Sequence, residues 1–218
     1  MTRILVFTAV KNLYLNTLAA IHQIEHEGPL AWLQWRDNPH TDPRANVTGA
    51  YNAARAVCLA GAYDALLTIE NDIIPPHDTL ARLIFADADI AYGLYCYRQP
   101  GHLWNAYFDG QSLCLNLERA RIAWGRHVHV QGYGLGCALI RRHVLADIEF
   151  RFEPDQVLHC DSYFCDAAHL AGFSQVCDLG LHCGHILNEY RVVYPALQQD
   201  ETPDGAGRWR TYRYEFGN

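Results

Sequence analysis

An apolar run, Ala65-Leu-Leu-Thr-Ile69, stops abruptly at Glu70-Asn71-Asp72 and is followed by Ile73-Ile74 and the Pro75-Pro76 pair. A short run of this kind reads as a buried strand, and the prolines end it. Two carboxylates therefore stand where a strand ends. In open α/β sheets the crevice beyond the carboxyl ends of the strands is where ligands bind, so these acids suggest a cation or a polar ligand there. The competing reading is an acidic turn that caps Asp78-Thr79-Leu80.

The chain on either side repeats one rhythm. Arg3 to Phe7 is a first apolar strand, Thr8 to Asn12 a loop, and Leu13 to Ile24 carries apolar residues at helical spacing. Leu30 to Trp35 reads as the second strand, Arg36 to Pro43 as a surface loop, and Asn46 to Ala60 as a helix with Asn52 and Arg55 one turn apart. Leu66 to Ile69 is the third strand, Pro76 to Phe85 the next helix, and Ile90 to Tyr97 the fourth strand. This β-α-β-α-β-α-β order calls for a largely parallel sheet with right-handed crossovers.

After Tyr97 the rhythm changes. Gln99 to Arg126 reads as short strands and loops, and His127 to Gln131 alternates two histidines against two valines as a half-buried strand does. Gly132, Gly134 and Gly136 lie late in the chain and lead into the strand-like Cys137 to Arg142. They argue for backbone approaching a ligand closely, or for a bulged turn, rather than for a dinucleotide fingerprint. His143 to Ile148 and Asp161 to Gly172 read as helices, Phe173 to Cys177 as a strand, and Asp178 to Ile186 as a further strand or loop.

Composition narrows the classes. With 218 residues the chain fits one large domain that buries on the order of 70% of its unfolded surface. Charged residues are 19%, below the roughly 25% of an average domain, and apolar residues are 50%, which excludes a disordered chain. A net charge of −7 argues against a general nucleic-acid binder. No segment approaches a membrane span and the N-terminus lacks a secretory pattern, so the expected location is cytoplasmic. The eight cysteines form no CxxC pair and, in a reducing compartment, read as small core residues.

Four pieces together resemble the GT-A nucleotide-sugar glycosyltransferases, in particular the inverting, family-2-like group: Ile4-Leu-Val-Phe-Thr-Ala-Val-Lys11; the strand ending in Glu70-Asn71-Asp72, which resembles the family's Asp-x-Asp; Gly134-Leu-Gly-Cys-Ala-Leu-Ile-Arg-Arg142; and Cys160-Asp-Ser-Tyr-Phe164 with Ala171-Gly-Phe173 and Cys183-Gly-His-Ile186 behind it. Their order covers about Arg3 to Ile186. The resemblance implies a Rossmann-like three-layer α/β/α fold with a mostly parallel central sheet and a small antiparallel second sheet. It divides the single domain into a nucleotide-binding half at about 1–98, an acceptor-side half at about 99–197 and a C-terminal tail at 198–218.

It also implies a reaction: transfer of a sugar from a UDP- or GDP-sugar to a carbohydrate or other hydroxyl acceptor, with inversion. A divalent Mn2+ or Mg2+ would neutralise the charge developing on the diphosphate. By position, Asp72 and His185 would hold the metal, and Asp161 would be the general base that takes the acceptor proton. Glu70, in place of the first Asp, would reach the ribose or a metal-bound water, with Asn71 between the two acids. Thr8, Ala9 and Val10 lie in the loop expected near base and ribose, and Asn52 and Arg55 would face the same edge. Trp104, Tyr107 and Tyr133, with Gly134, are candidates for the acceptor side, since an aromatic face suits the apolar side of a pyranose. The basic-aromatic Arg208 to Tyr214 would fold over the diphosphate or remain a mobile terminus.

Other classes stay open. A nucleotidyltransferase also sets acids at a strand end, but would carry a glycine-rich basic loop where only Lys11 stands. His159, Cys160, Cys177, His182, Cys183 and His185 have the ligand types of a structural zinc site, with spacings of no common finger. A transferase fold that only binds sugar nucleotides is a third reading.

Overall fold

The computed structural model describes residues 2–9, 14–131, 134–200 and 208–216. β1 (Ile4–Ala9) and β2 (Leu30–Trp35) flank α1 (Leu15–His22). α2 (Pro43–Ala60) begins three residues before the expected Asn46, because Asp42 caps it by accepting from the Arg44 N–H at 2.9 Å and proline occupies its first turn. β3 (Ala65–Ile69) is buried throughout, and β4 (Ile73–Ile74) follows the acidic turn. α3 (Thr79–Phe85), β5 (Ile90–Leu94), β6 (Tyr107–Phe108) and β7 (Gln111–Ser112) come next. α4 (Leu117–Ala123), β8 (His127–His129), β9 (Cys137–Arg141), α5 (Arg142–Asp147) and α6 (Cys160–Leu170) lead to β10 (Gln175–His182), β11 (Gly184–Asn188), β12 (Arg191–Asp200) and β13 (Arg208–Phe216).

The central sheet has the order β2-β1-β3-β9-β5-β10-β8. β1 runs parallel to β2 and β3, and β10 parallel to β5. β9 is antiparallel to both β3 and β5, so those two share a direction, and five of the seven strands run the same way. Burial on both faces explains the near-continuous apolar composition of β3, β5 and β9. Alternate residues serve two cores: Leu5, Phe7 and Leu66 meet Tyr51, Phe150 and Phe164 on one face. Ile4, Val6 and Leu67 meet Ile21, Leu80 and Leu83 on the other. Each such fully buried side chain contributes about 1.5–3 kcal/mol. The result is a three-layer α/β/α body in which all eight cysteines are buried and unbridged.

A second, antiparallel sheet has the order β13-β12-β11-β4. Three expectations change here. The stretch Asp178 to Ile186 is two strands, since β10 stays in the central sheet through His182 and β11 leaves for the second sheet. The 198–218 tail is not a loose end over its described part: β13 pairs along β12, the Trp104 indole N–H donates to the Thr211 carbonyl at 2.7 Å, and His102 Nε2 is 2.8 Å from the Tyr214 hydroxyl. The 99–126 stretch contains a helix, α4, capped by Asn116 accepting from the Arg119 N–H. That helix buries only Ala120 and Ala123, too little to leave an apolar stripe in the sequence. Among the described residues, no helix is long and apolar enough to cross a membrane.

Candidate active site

The turn after β3 is pinned from both sides. Glu70 N–H donates to the Gly136 carbonyl at 2.9 Å, and Ile73 N–H returns to the Glu70 carbonyl at 3.1 Å. β4 then pairs with β11, opposing Ile73 to His185, and the Ile186 N–H donates to the Asp72 carbonyl at 2.9 Å. Sheet register thus carries a residue from late in the chain to the side of Asp72. The His185 Nδ1 is 2.8 Å from the Cys96 carbonyl, which can only accept, so Nδ1 carries the proton and the neutral ring has its lone pair on Nε2. Nε2 stands 3.5 Å from Asp72 Oδ2, a contact that is an ion pair only when the ring is protonated. Among the described residues, His185 Nε2 and Asp72 Oδ1 are both buried with no hydrogen-bond partner. Arg98 Nη1 reaches Asp72 Oδ2 at 2.9 Å.

These groups line a cavity of about 330 Å3 that includes Glu70, Asp72, Tyr97, Arg98, Asp161 and His185. Its three carboxylates titrate differently. Burial, then the like charges of Asp72 and Asp161, push Glu70 from 4.5 up to about 8. Burial also raises Asp161, although its carboxylate accepts the Ser162 N–H at 2.8 Å. Burial acts upward on Asp72 too, but the neighbouring His185 and Arg98 outweigh it and hold Asp72 below the usual carboxylate range. Carboxylates whose surroundings push their pKa values apart can divide the work of charge stabilisation and proton transfer.

Two further cavities adjoin this one. A cavity of about 360 Å3 at the ends of β1 and β2 is lined by Trp35, His40 and Asn46 and shares Ala9 and Val47 with the acidic one. Another of about 350 Å3, lined by Leu103, Tyr107 and Leu158, shares Tyr97, Gln99, His159 and Asp161 with it. The three form one groove along the carboxyl edge of the sheet. Asp161, in the first turn of α6, stands where the acidic and aromatic parts meet.

The structure brings Ala9, Glu70, Asn71, Asp72, Asp161 and His185 together, with Tyr107 in the adjoining aromatic cavity. Several expected residues lie elsewhere. Asn52 spends its amide on the backbone of Phe150, donating to the carbonyl at 2.8 Å and accepting the N–H at 3.1 Å. Arg55 Nε donates to the carbonyls of Leu145 and Ile148 at the end of α5, so both side chains hold backbone away from the acidic cavity. Trp104 is fully buried and offers no stacking face. Thr8 is buried as well, its hydroxyl oxygen accepting the Trp32 indole N–H at 3.2 Å. Gly134 has φ +91°, and a Cβ there would lie 2.1 Å from the Tyr95 hydroxyl, so its backbone is packed against Tyr95. Val10 and Tyr133 fall outside the described residues.

Arg98 and Tyr97 are the residues sequence reasoning missed. Tyr97 ends the expected fourth strand, three residues past the last residue of β5, and Arg98 follows it, so both stand on the same carboxyl edge as Glu70-Asn71-Asp72, which is the signal that could have found them. The six zinc-type residues are dispersed instead. Cys177 is buried inside β10, Cys183 Sγ would meet a Cβ on Gly93 at 2.9 Å, and His182 stacks on Trp124 with Nε2 2.9 Å from the Leu179 carbonyl. Among the described residues no three His, Cys, Asp or Glu side chains form a metal cage. Asp72 and His185 fit a divalent ion as a two-ligand site, since each has a buried, unpartnered ligand atom and the two side chains approach to 3.5 Å. Such a site is completed by water and by phosphate oxygens of a substrate.

No protein-family model and no curated protein matches the sequence. Solved structures match the fold. A197 from STIV superposes with a TM-score of 0.61 at 17% identity, covering 96% of this chain and 95% of that one. A structure of S. aureus TarS 1–349 in complex with UDP gives a TM-score of 0.50 at 13% identity, covering 81% of this chain and 57% of that one. A second TarS 1–349 structure gives 0.51 at 12% identity, over 81% of this chain and 58% of that one. The chain thus spans little more than half of the TarS chains it matches. At these identities the likeness is one of fold, and the fold is GT-A-like: a large, mostly parallel sheet between helices beside a small antiparallel sheet.

Proposed function

We propose that the chain is a metal-dependent glycosyltransferase that moves a sugar from a nucleoside-diphosphate donor to an acceptor hydroxyl with inversion. The observation that carries this reading is the pair of buried, unpartnered ligand atoms, Asp72 Oδ1 and His185 Nε2, on two residues that line a groove continuing past Asp161 into an aromatic cavity. The nucleoside lies against Ala9 and Val47, the diphosphate at the acidic turn, and the acceptor beside Tyr97 and Tyr107. TarS in complex with UDP makes UDP the first nucleotide to test.

A divalent ion on Asp72 and His185 would offset the negative charge that grows on the diphosphate as the sugar leaves. Asp161 takes the proton of the acceptor hydroxyl while that oxygen attacks the anomeric carbon. The bond from that carbon to the diphosphate oxygen breaks, and its electron pair leaves with the diphosphate. Burial raises Asp161, making it a stronger base than a solvated carboxylate. Glu70, protonated at neutral pH, can donate a hydrogen bond to the donor where an ionised acid would repel it.

The test is calorimetry of UDP, GDP and a panel of their sugars with and without Mn2+, followed by turnover of Asp161→Asn. Mn2+-dependent donor binding is expected for the wild type, and the variant should keep it while losing about 10²–10⁴-fold in transfer. Full turnover by the variant would remove Asp161 as base; metal-independent nucleotide binding would remove the metal.

A further inference from the structure

The Asp72 carboxylate has two unlike oxygens. Oδ1 has no hydrogen-bond partner, whereas Oδ2 holds the Arg98 guanidinium at 2.9 Å. The two side chains differ as much in exposure as in charge: Asp72 is 7% exposed and anchored by the β4–β11 pairing, while Arg98 is 52% exposed on a long arm. The other ionisable groups that line this cavity are the carboxyls of Glu70 and Asp161, the imidazoles of His159 and His185 and the phenols of Tyr51, Tyr95 and Tyr97. Among the described residues of its lining, Arg98 is thus the one fixed positive charge, and it sits on the residue that would hold an ion.

A divalent ion at Asp72 and His185 and a guanidinium on the same carboxylate repel each other at short range. Binding the ion therefore weakens the hold of Asp72 on Arg98, and a loosened guanidinium is drawn to a new anion. Its planar fork matches phosphate oxygens, and the diphosphate is the anion that arrives in this groove. We propose that Arg98 is the counter-ion of Asp72 until an ion binds, and passes from Asp72 to the diphosphate as ion and nucleotide enter together. This rests on the metal and diphosphate reading above. It makes Arg98 a switch residue, because it forces the two ligands to bind as a unit and keeps the site closed to stray cations.

Mn2+ binding to the intact protein, followed by the electron-spin resonance of the free ion with and without UDP, tests this in the wild type, Arg98→Gln and Arg98→Lys. The wild type should bind Mn2+ about tenfold or more tightly when UDP is present. Arg98→Gln should bind Mn2+ alone about tenfold more tightly than the wild type and lose most of that linkage. Arg98→Lys keeps the charge without the fork, so it should still exclude Mn2+ alone but gain less from UDP. Equal Mn2+ affinities and equal linkage in all three overturn the role of Arg98 and leave the metal site standing. Absence of Mn2+ binding in all three, with UDP bound, overturns the metal reading and this inference with it.

Discussion

His185 presents Nε2 to Asp72 Oδ2 at 3.5 Å because its other ring nitrogen is tied to the Cys96 carbonyl at 2.8 Å. The backbone fixes the tautomer, and β-strand register fixes the distance. His185→Ala and Asp72→Asn should each weaken Mn2+-dependent UDP binding by about 10–100-fold, the scale on which losing one member of a metal site acts. His185→Ala should bind UDP without Mn2+ as the wild type does. Calorimetry at fixed Mn2+ reads both quantities, and wild-type Mn2+ dependence in either variant would dissociate the pair from the metal.

Glu70 makes the stability of the ligand-free protein depend on pH. Its carboxyl is raised from 4.5 to about 8 in the folded state, so between these values the unfolded chain has released a proton that the folded chain retains. The unfolded state then binds fewer protons, and stability falls as pH rises through that window. The benefit is fully present below pH 4.5 and gone above about 8. Glu70→Gln removes the effect: relative to the wild type its melting temperature should rise from pH 5 to pH 8, by about 2–4 °C for each kcal/mol. Parallel pH profiles would place Glu70 at its ordinary value.

Asn52 holds Phe150 by a reciprocal pair of backbone hydrogen bonds at 2.8 and 3.1 Å. Asn52→Ala leaves both backbone groups without that partner, a loss of about 1–3 kcal/mol. The melting temperature should fall while nucleotide affinity stays at the wild-type level. A fall in UDP affinity without a fall in stability would return Asn52 to the donor site.

The misplacement of Asn52 and Arg55 marks where sequence reasoning stops. Polar residues on one helical turn signal only that their groups need partners, and ligand, solvent or an orphaned carbonyl at the end of α5 satisfy that need equally. Strands such as Ala65–Ile69 were legible because burial on both faces leaves an unbroken apolar run. The insertion of β9 between β3 and β5 was not, since that pairing is chosen by long-range packing and leaves no local mark. Asp72, Asp161 and His185 could be named from the resemblance of their motifs, but the meeting of Asp72 with His185 depends on the β4–β11 register. Trp104 shows the same ambiguity: an aromatic ring suits a sugar and a core alike, and here the core has it.

Gly134 and Tyr95 are coupled through space. The glycine has φ +91°, a left-handed conformation that costs other residues roughly 1–2 kcal/mol, and a Cβ would fall 2.1 Å from the Tyr95 hydroxyl. The Tyr95 ring in turn meets His185 edge to face, with centroids 5.6 Å apart. Gly134→Ala should therefore lower the melting temperature and also weaken Mn2+-dependent UDP binding, because displacing Tyr95 disturbs the metal-side imidazole. Tyr95→Phe alone gives up the hydrogen bond that the hydroxyl accepts from the Gly136 N–H at 3.3 Å, a loss of about 0.5–1.5 kcal/mol. In the double variant the 2.1 Å clash with the hydroxyl is gone and only tight 3.2 Å contacts to the Tyr95 ring and the Tyr97 hydroxyl remain, so the combined loss should be smaller than the sum of the separate losses. The left-handed backbone still costs its share, so recovery is partial. Simple additivity in thermal melts, together with unchanged UDP binding in Gly134→Ala, would break the chain from Gly134 through Tyr95 to His185.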